Sequence, residues 1–171
     1  MAVRFAVFIA VTLDGYIARP DGSIDFLAPF HDEEHGYGAF FAGVDALMIG
    51  RGTYDTVLGF PEWPYGDKRV IVCTTRPVPA THGEEMWSGP PRDLAARLER
   101  EGVRTVYLDG GALVRGFLRE DLVDEMAINV IPILLGAGRP LFTSGLPEIP
   151  WRLLDAKSFP SGVVQLRYAR R

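Results

Sequence analysis

Cysteine is almost missing from this chain: Cys73 stands alone among 171 residues. A single thiol excludes an intrachain disulfide framework and a cysteine-based zinc site. It lies in the apolar run Val70-Ile71-Val72-Cys73, so it is expected to be a buried, inert small hydrophobe. Lysine is also scarce, at Lys68 and Lys157 only, and arginine supplies the remaining positive charge. That bias fits genomic composition, and it fits phosphate recognition only where individual arginines support it. The net charge of −4 gives no global attraction to nucleic acid or an anionic membrane. No apolar run approaches the roughly 20 residues of a membrane span. Met1-Ala2-Val3-Arg4 leads straight into strand-like sequence with no signal peptide, so the expected compartment is the cytoplasm. No G-x-G-x-x-G follows the first strand and no P-loop motif occurs, which removes the two commonest nucleotide fingerprints.

What is there reads as one α/β domain, residues 1–171. A chain of this length buries roughly 70% of its unfolded surface and needs no metal or disulfide to hold it. Val3, Phe5, Val7, Ile9 and Val11 alternate with smaller or polar residues, the period of a long first strand. Pro20-Asp21-Gly22-Ser23 is a turn by its chemistry. A helix is predicted from Asp32, as N-cap with Glu33 and Glu34 in its first turn, through Phe40-Phe41 to Gly43. Asp45 to Gly50 is a buried strand, and Gly52 to Leu58 a short helix. Lys68 to Thr75 is a strand, and Pro77 to Pro91 a loop-rich stretch. Leu94 and Leu98 place an apolar stripe on a helix from Arg92 to Gly102. Arg104 to Leu108 is a strand, Ala112 to Arg119 a helix, and Glu125 to Ile131 a strand. Two final strands, Trp151 to Phe159 and Val163 to Ala169, are joined as a hairpin by Pro160-Ser161-Gly162. Alternating strands and helices imply right-handed crossovers and a mostly parallel sheet, made mixed by the last hairpin.

In such sheets ligands bind beyond the carboxyl ends of the strands. Three loops there carry chemistry. Gly50-Arg51-Gly52-Thr53-Tyr54 follows a strand and opens a helix, where unpaired N–H groups and the helix dipole attract phosphate. Its glycines admit a close approach, Arg51 can fork onto two oxygens, and Thr53 can donate a hydroxyl. The same spacing fits a plain strand-to-helix turn with a threonine cap. Asp109-Gly110-Gly111-Ala112 repeats the arrangement; paired glycines expose N–H groups to a pyrophosphate, or simply turn the chain. Thr74-Thr75-Arg76-Pro77 offers hydroxyls and an arginine where a site for NADH would carry a carboxylate. It therefore favours a 2′-phosphate and NADPH. Charge-assisted hydrogen bonds of that kind contribute roughly 1.5–3 kcal/mol each.

Together these segments resemble a dihydrofolate reductase-type fold. The closer similarity is to bacterial proteins related to the C-terminal reductase domain of the riboflavin-biosynthesis deaminase/reductase. The resemblance rests on Thr12-Leu13-Asp14-Gly15-Tyr16-Ile17-Ala18, on Asp45 to Tyr54, on Leu108-Asp109-Gly110-Gly111, and on Leu134-Leu135-Gly136-Ala137-Gly138-Arg139-Pro140-Leu141-Phe142. It implies a three-layer fold with a sheet of about eight strands and NADPH across it. It also implies reductase activity of the 5-amino-6-(5-phosphoribosylamino)uracil or dihydrofolate kind, and a homodimer. Gly50, Arg51, Thr53, Gly110 and Gly111 would hold the phosphates and Thr75 and Arg76 the 2′-phosphate. Asp14 to Ala18 would lie beside the nicotinamide. The substrate half departs from the pattern. Where riboflavin-pathway reductases carry a lysine shortly before the Asp-Gly motif, this chain has Val7-Phe8-Ile9-Ala10. Their serine-rich Trp-Ile-Thr segment is replaced by Ser23-Ile24-Asp25-Phe26-Leu27.

Hydride transfer needs no protein nucleophile, but a carboxylic acid can protonate or orient the substrate. Asp25 is the candidate, since Phe26, Leu27 and Phe30 would raise its pKa; a solvated capping aspartate is the alternative. Asp14, Phe26 and Trp63 are candidates for the pocket of a planar heterocycle, with Asp14 also suited to bonding its own turn. Two other functions compete. A non-catalytic module sensing NADPH would share the cofactor loops. His31-Asp32-Glu33-Glu34-His35 matches H-x-x-E-H, so a metal-dependent hydrolase would use His31, Glu34 and His35 on one helix face. It would need a third ligand, and the only other histidine, His82, falls in a loop.

Overall fold

The computed structural model describes residues 2–171. Among the described residues ten strands and four α-helices follow one another. Strand β1 (Arg4–Thr12) is followed by the short β2 (Tyr16–Ala18), a 3-10 helix (Asp25–Phe30) and α1 (Tyr37–Ala42). Then come β3 (Ala46–Gly50), α2 (Arg51–Leu58), β4 (Arg69–Cys73), β5 (Glu85–Trp87) and α3 (Pro91–Arg100). The chain continues with β6 (Thr105–Asp109), α4 (Gly111–Arg119), β7 (Glu125–Ile131), β8 (Arg139–Pro140), β9 (Trp151–Ser158) and β10 (Val164–Arg170).

Eight strands form one sheet in the order β5-β4-β3-β6-β1-β7-β10-β9, and β2 pairs with β8 apart from it. From β5 to β7 every pairing is parallel. The sheet turns antiparallel where β10 meets β7 and β9. The final hairpin forms as expected: Phe159 N–H donates to the Val163 carbonyl at 2.9 Å, and Gly162 N–H to Phe159 at 2.9 Å.

The period-two pattern of β1 sends its side chains to two cores. Phe5, Val7 and Ile9 join Met48, Ile71 and Leu108 beneath α3 and α4, which contribute Leu94, Leu98, Val114 and Phe117. Leu94 and Leu98 are fully buried, and each contributes about 2 kcal/mol by leaving water. On the other face Leu47, Ile49, Val70, Val72 and Tyr107 pack under Tyr54 and Val57 of α2, with Tyr37, Phe40 and Phe41 of α1 beside them. Cys73 ends β4 half-buried, and burial pushes its thiol up to about 12, which keeps it protonated and unreactive. Among the described residues no helix is long and apolar enough to cross a membrane.

Two elements depart from the expected pattern. The helix predicted from Asp32 begins only at Tyr37, because Gly36 sits at φ +84° and turns the chain before it. Ahead of it lies the 3-10 helix, with Pro29 inside. Asp32 therefore caps nothing; the Glu34 carboxylate instead accepts the Gly38 N–H of α1 at 3.2 Å. The expected loop from Pro77 to Pro91 contains β5, whose Glu85 pairs with Arg69 at 2.6 Å and with Arg97 at 2.5 Å.

Candidate functional site

The carboxyl ends of β3, β6 and β1 open into a cleft of about 800 Å³. Its rim is set by local backbone chemistry. Helices α2 and α4 spring directly from the ends of β3 and β6, which are neighbours in the sheet. Neither helix carries a side-chain cap on its first N–H groups, so those donors remain free for a ligand. The two loops touch. Gly110 holds φ +112°, and a Cβ there would lie 2.9 Å from Thr53 Oγ1 and 3.5 Å from the Gly50 nitrogen. A Cβ on Gly111 would meet the Pro140 carbonyl oxygen at 2.9 Å and Ile17 at 3.0 Å. These glycines keep a cradle open that side chains would fill. Gly52, Thr53, Gly110 and Gly111 all line the cleft.

Two arginines stand at the same end. Arg115 is anchored by donating to the carbonyls of Pro140 at 2.7 Å and Leu141 at 3.2 Å, and burial lowers its pKa. Arg139 reaches over the first loop, its guanidinium within 3.0–3.2 Å of where a Gly22 Cβ would lie and 3.1 Å from a Gly52 Cβ. Among the described residues Arg139 has no ion-pair partner. In the sequence Gly136-Ala137-Gly138-Arg139-Pro140 reads first as a turn with a place at the pocket rim, and the arginine directly after the glycines is the signal that marks it. Arg51 itself turns outward, donating Nε to Asp55 at 2.8 Å and Nη1 to the Arg76 carbonyl at 2.8 Å. That bond joins the ends of β3 and β4, so Arg51, Thr75 and Arg76 lie together beside the cleft rather than in it.

The floor beyond the glycines is aromatic, with Phe8, Tyr37, Tyr65 and Tyr107 around Asp109. Tyr107 donates its hydroxyl to the Phe8 carbonyl at 3.0 Å. Burial pushes the Asp109 carboxyl up to about 6, against which the Gly110 N–H and the Tyr107 hydroxyl pull only partly. Burial, then the charge of Asp109, raises Tyr37 to about 12. Asp109 is thus a carboxyl that changes protonation near neutral pH on the wall of a cleft, the property expected of a proton-handling residue.

Asp25 does not have that property. It is exposed, and the Arg19 guanidinium at 2.5 Å, helped by Ser23 Oγ at 3.1 Å, holds its carboxyl below the usual range. The neighbouring Phe26 is buried under Arg19 rather than placed on the cleft wall. Asp14 is a fastening. It accepts from Thr12 Oγ1 at 2.6 Å, Gly136 N–H at 2.7 Å and Leu135 N–H at 3.2 Å, which lower its pKa and tie the first loop to the later glycine loop. Trp63 stacks on His82 at 4.2 Å, also outside the cleft lining. These residues follow one another in sequence near the loops, whereas the real lining is brought together by strand register.

The hydrolase reading fails on geometry. His31 and Glu34 to His35 do not share a helix face, since the helix starts after them. Glu33, not a metal, takes His35 Nε2, at 3.0 Å, together with the Ser161 hydroxyl and N–H. No group of three His, Cys, Asp or Glu side chains among the described residues is arranged to hold a metal ion.

Comparison with known proteins places this geometry. The family model RibD C-terminal domain matches residues 5–165. The Bacillus subtilis (strain 168) protein YwjB is 41% identical over 175 residues, covering 99% of both chains. A solved structure named for riboflavin biosynthesis, from Shewanella sp. PV-4, is 36% identical with a TM-score of 0.91, covering 100% of this chain and 99% of that one. Dihydrofolate reductase from Enterococcus faecalis, solved with NADP(H), is 16% identical with a TM-score of 0.71, covering 100% and 99%. That last likeness shows the fold alone, and the fold is of the dihydrofolate reductase type.

Proposed function

Because the chain belongs to the RibD C-terminal domain family, as the match over residues 5–165 shows, we propose that it is an NADPH-dependent reductase. It transfers hydride to a small planar heterocycle, pterin- or pyrimidine-like, and works in the cytoplasm as a one-domain homodimer. The observation that carries this reading is the convergence of two uncapped helix starts, at Gly50–Thr53 and Gly110–Gly111, on one cleft with an unpaired arginine over it.

The residues present fit the cofactor. The Cβ-free cradle at Gly110 and Gly111 leaves room for a pyrophosphate against bare N–H groups, with Thr53 and Arg139 at its edge. Arg51, Thr75 and Arg76 supply two guanidiniums and a hydroxyl for a 2′-phosphate, with no carboxylate in the Thr74–Pro77 loop. When bound, NADPH supplies the hydride. The chain then supplies position and a proton. Phe8, Tyr37, Tyr65 and Tyr107 make a low-dielectric wall for a flat ring, and Asp109, which exchanges a proton at its carboxyl oxygen around pH 6, can pass one to the ring. The dihydrofolate reductase structure solved with NADP(H) supports the choice of cofactor through its shared fold.

Thermal unfolding tests the cofactor directly. NADPH at about 100 times its Kd adds about 2.7 kcal/mol of stability, and equimolar NADH adds less. Arg76→Ala should shrink the difference between the two. Equal shifts for both dinucleotides, or none from either, would sink the reading; oxidation of NADPH that depends on an added pterin or pyrimidine would establish the reaction.

A further inference from the structure

Two amide side chains face each other across the sheet next to the cleft. Asn129 on β7 pairs with Gln165 on β10, and they are only 4% and 8% exposed. Gln165 Nε2 donates to the main-chain carbonyl of His35 at 2.7 Å and to Asn129 Oδ1 at 2.9 Å. The order of these bonds fixes both amides. A backbone carbonyl only accepts, so the nitrogen end of Gln165 must face His35. The same nitrogen then meets Asn129, whose facing atom must be its oxygen. Asn129 is therefore held with Nδ2 and its two N–H groups turned away from Gln165.

Those donors open into the cleft. Asn129 lines it, and no acceptor among the described residues takes its Nδ2. The one buried side-chain polar atom among them that lacks a hydrogen bond is Arg97 Nε, which still faces Glu101 at 3.2 Å, so Nδ2 is not sealed off. Away from Gln165 its neighbours are apolar: Ala10, paired with Asn129 on β1, and Ile131 on the same face of β7. Asp109 lies on the same wall, one residue past the Val7–Leu108 pair. Two strand spacings and two residues separate it from Asn129, roughly 12 Å between α-carbons, room for a ring system of one or two fused rings. A fixed donor on an apolar wall selects strongly for a ligand acceptor, because a ligand without one leaves it buried and unpaired.

We infer that Asn129 is a specificity-determining residue whose fixed amide donates to a ring carbonyl of the substrate. Gln165 and the His35 carbonyl act as positioning groups that forbid the opposite orientation of the amide. The inference deepens the reductase reading above and rests on it for the identity of the cleft.

Calorimetric titration of the full chain, with and without saturating NADPH, tests it on two matched pairs: pterin against 2,4-diaminopteridine, and uracil against 2,4-diaminopyrimidine. The members of each pair differ in oxygen for amino nitrogen. The oxo member is expected to bind at least tenfold more tightly. Asn129→Asp keeps an acceptor for Gln165 but removes the N–H groups. It should erase the oxo preference while leaving NADPH affinity unchanged. Should that variant not fold, the wild-type spectrum decides: the side-chain amide signals of Asn129 must shift when pterin is added. Equal binding of the two members, tighter binding of the amino member, binding of neither, or unmoved Asn129 signals would overturn the assignment. Failure of the reductase reading looks different, since NADPH itself would then neither bind nor be oxidised.

Discussion

Asp109 is stabilised by its surroundings as an acid, and this has a sign that can be measured. Its folded pKa of about 6 lies above the ordinary 3.8, so the folded state binds more protons between those values. Stability contributed by that proton is complete below about pH 4 and is lost as pH rises through about 6. At pH 7 the ionised carboxylate costs up to about 3 kcal/mol. Asp109→Asn should therefore melt higher than the parent at pH 7–8, with the advantage fading by pH 4, in melts followed across that range. A difference independent of pH would show that burial does not hold this proton. The same variant should flatten the pH profile of NADPH oxidation near 6, where the parent changes protonation. Asp109 was legible in the sequence only as the residue before two glycines. Nothing local marks it as buried; its environment comes from Tyr37 and Tyr65, 72 and 44 positions away in the chain, packed onto Tyr107. Asp25 misled for the converse reason: its apolar neighbours in sequence are not its neighbours in space, and Arg19 is.

Elements were readable where they are long and periodic. Strand β1 alternates over nine residues and β3, β4 and β6 are short apolar runs, so their existence and mostly parallel pairing followed. The three residues of β5 carry no period, and the edge position that makes them a strand is set by β4. The glycine loops were legible because a strand-to-helix turn needs its glycines in sequence order; the cleft wall, drawn from β1, β6 and β7, was not. Helix α4 offers a test of how its glycines differ. Gly111 at its start faces the Pro140 carbonyl 2.9 Å from any Cβ, whereas Gly116 in its middle has nothing within 4 Å. Gly116→Ala should stabilise the protein by about 0.5–1 kcal/mol, since only the unfolded chain loses freedom. Gly111→Ala must push backbone apart and should cost about 1–3 kcal/mol. Denaturant titration of both variants checks the contrast, and a stabilised Gly111→Ala would mean that the cradle is not closed by the β8 segment.

At the scale of the whole molecule the sheet is asymmetric. One edge is short, since β5 has three residues, while the other ends on the eight-residue β9, exposed along nearly its whole length. A long unpaired edge is an invitation to another chain. Leu153 is 53% exposed and Leu154 39% on β9, and Phe142 nearby is 46% exposed. Beside them Leu118, Met126, Ile128, Trp151 and Tyr168 line an apolar groove of about 390 Å³ on the face opposite Asn129. Exposed apolar side chains gathered beside an apolar groove are chemistry suited to a protein contact. The expected partner is a second copy, joined through this edge, and sedimentation at micromolar concentration should show a dimer. Leu153→Glu with Phe142→Glu places charges where an apolar contact would form and should yield monomers. The cradle proposed for the cofactor is built from β3, β6, α2 and α4, away from that edge, so the monomeric variant should keep its melting-temperature response to NADPH. A parent chain that sediments as a monomer, or charge substitutions that leave a dimer intact, would move the interface elsewhere and leave β9 protected only by its charged residues Arg152, Asp155 and Lys157.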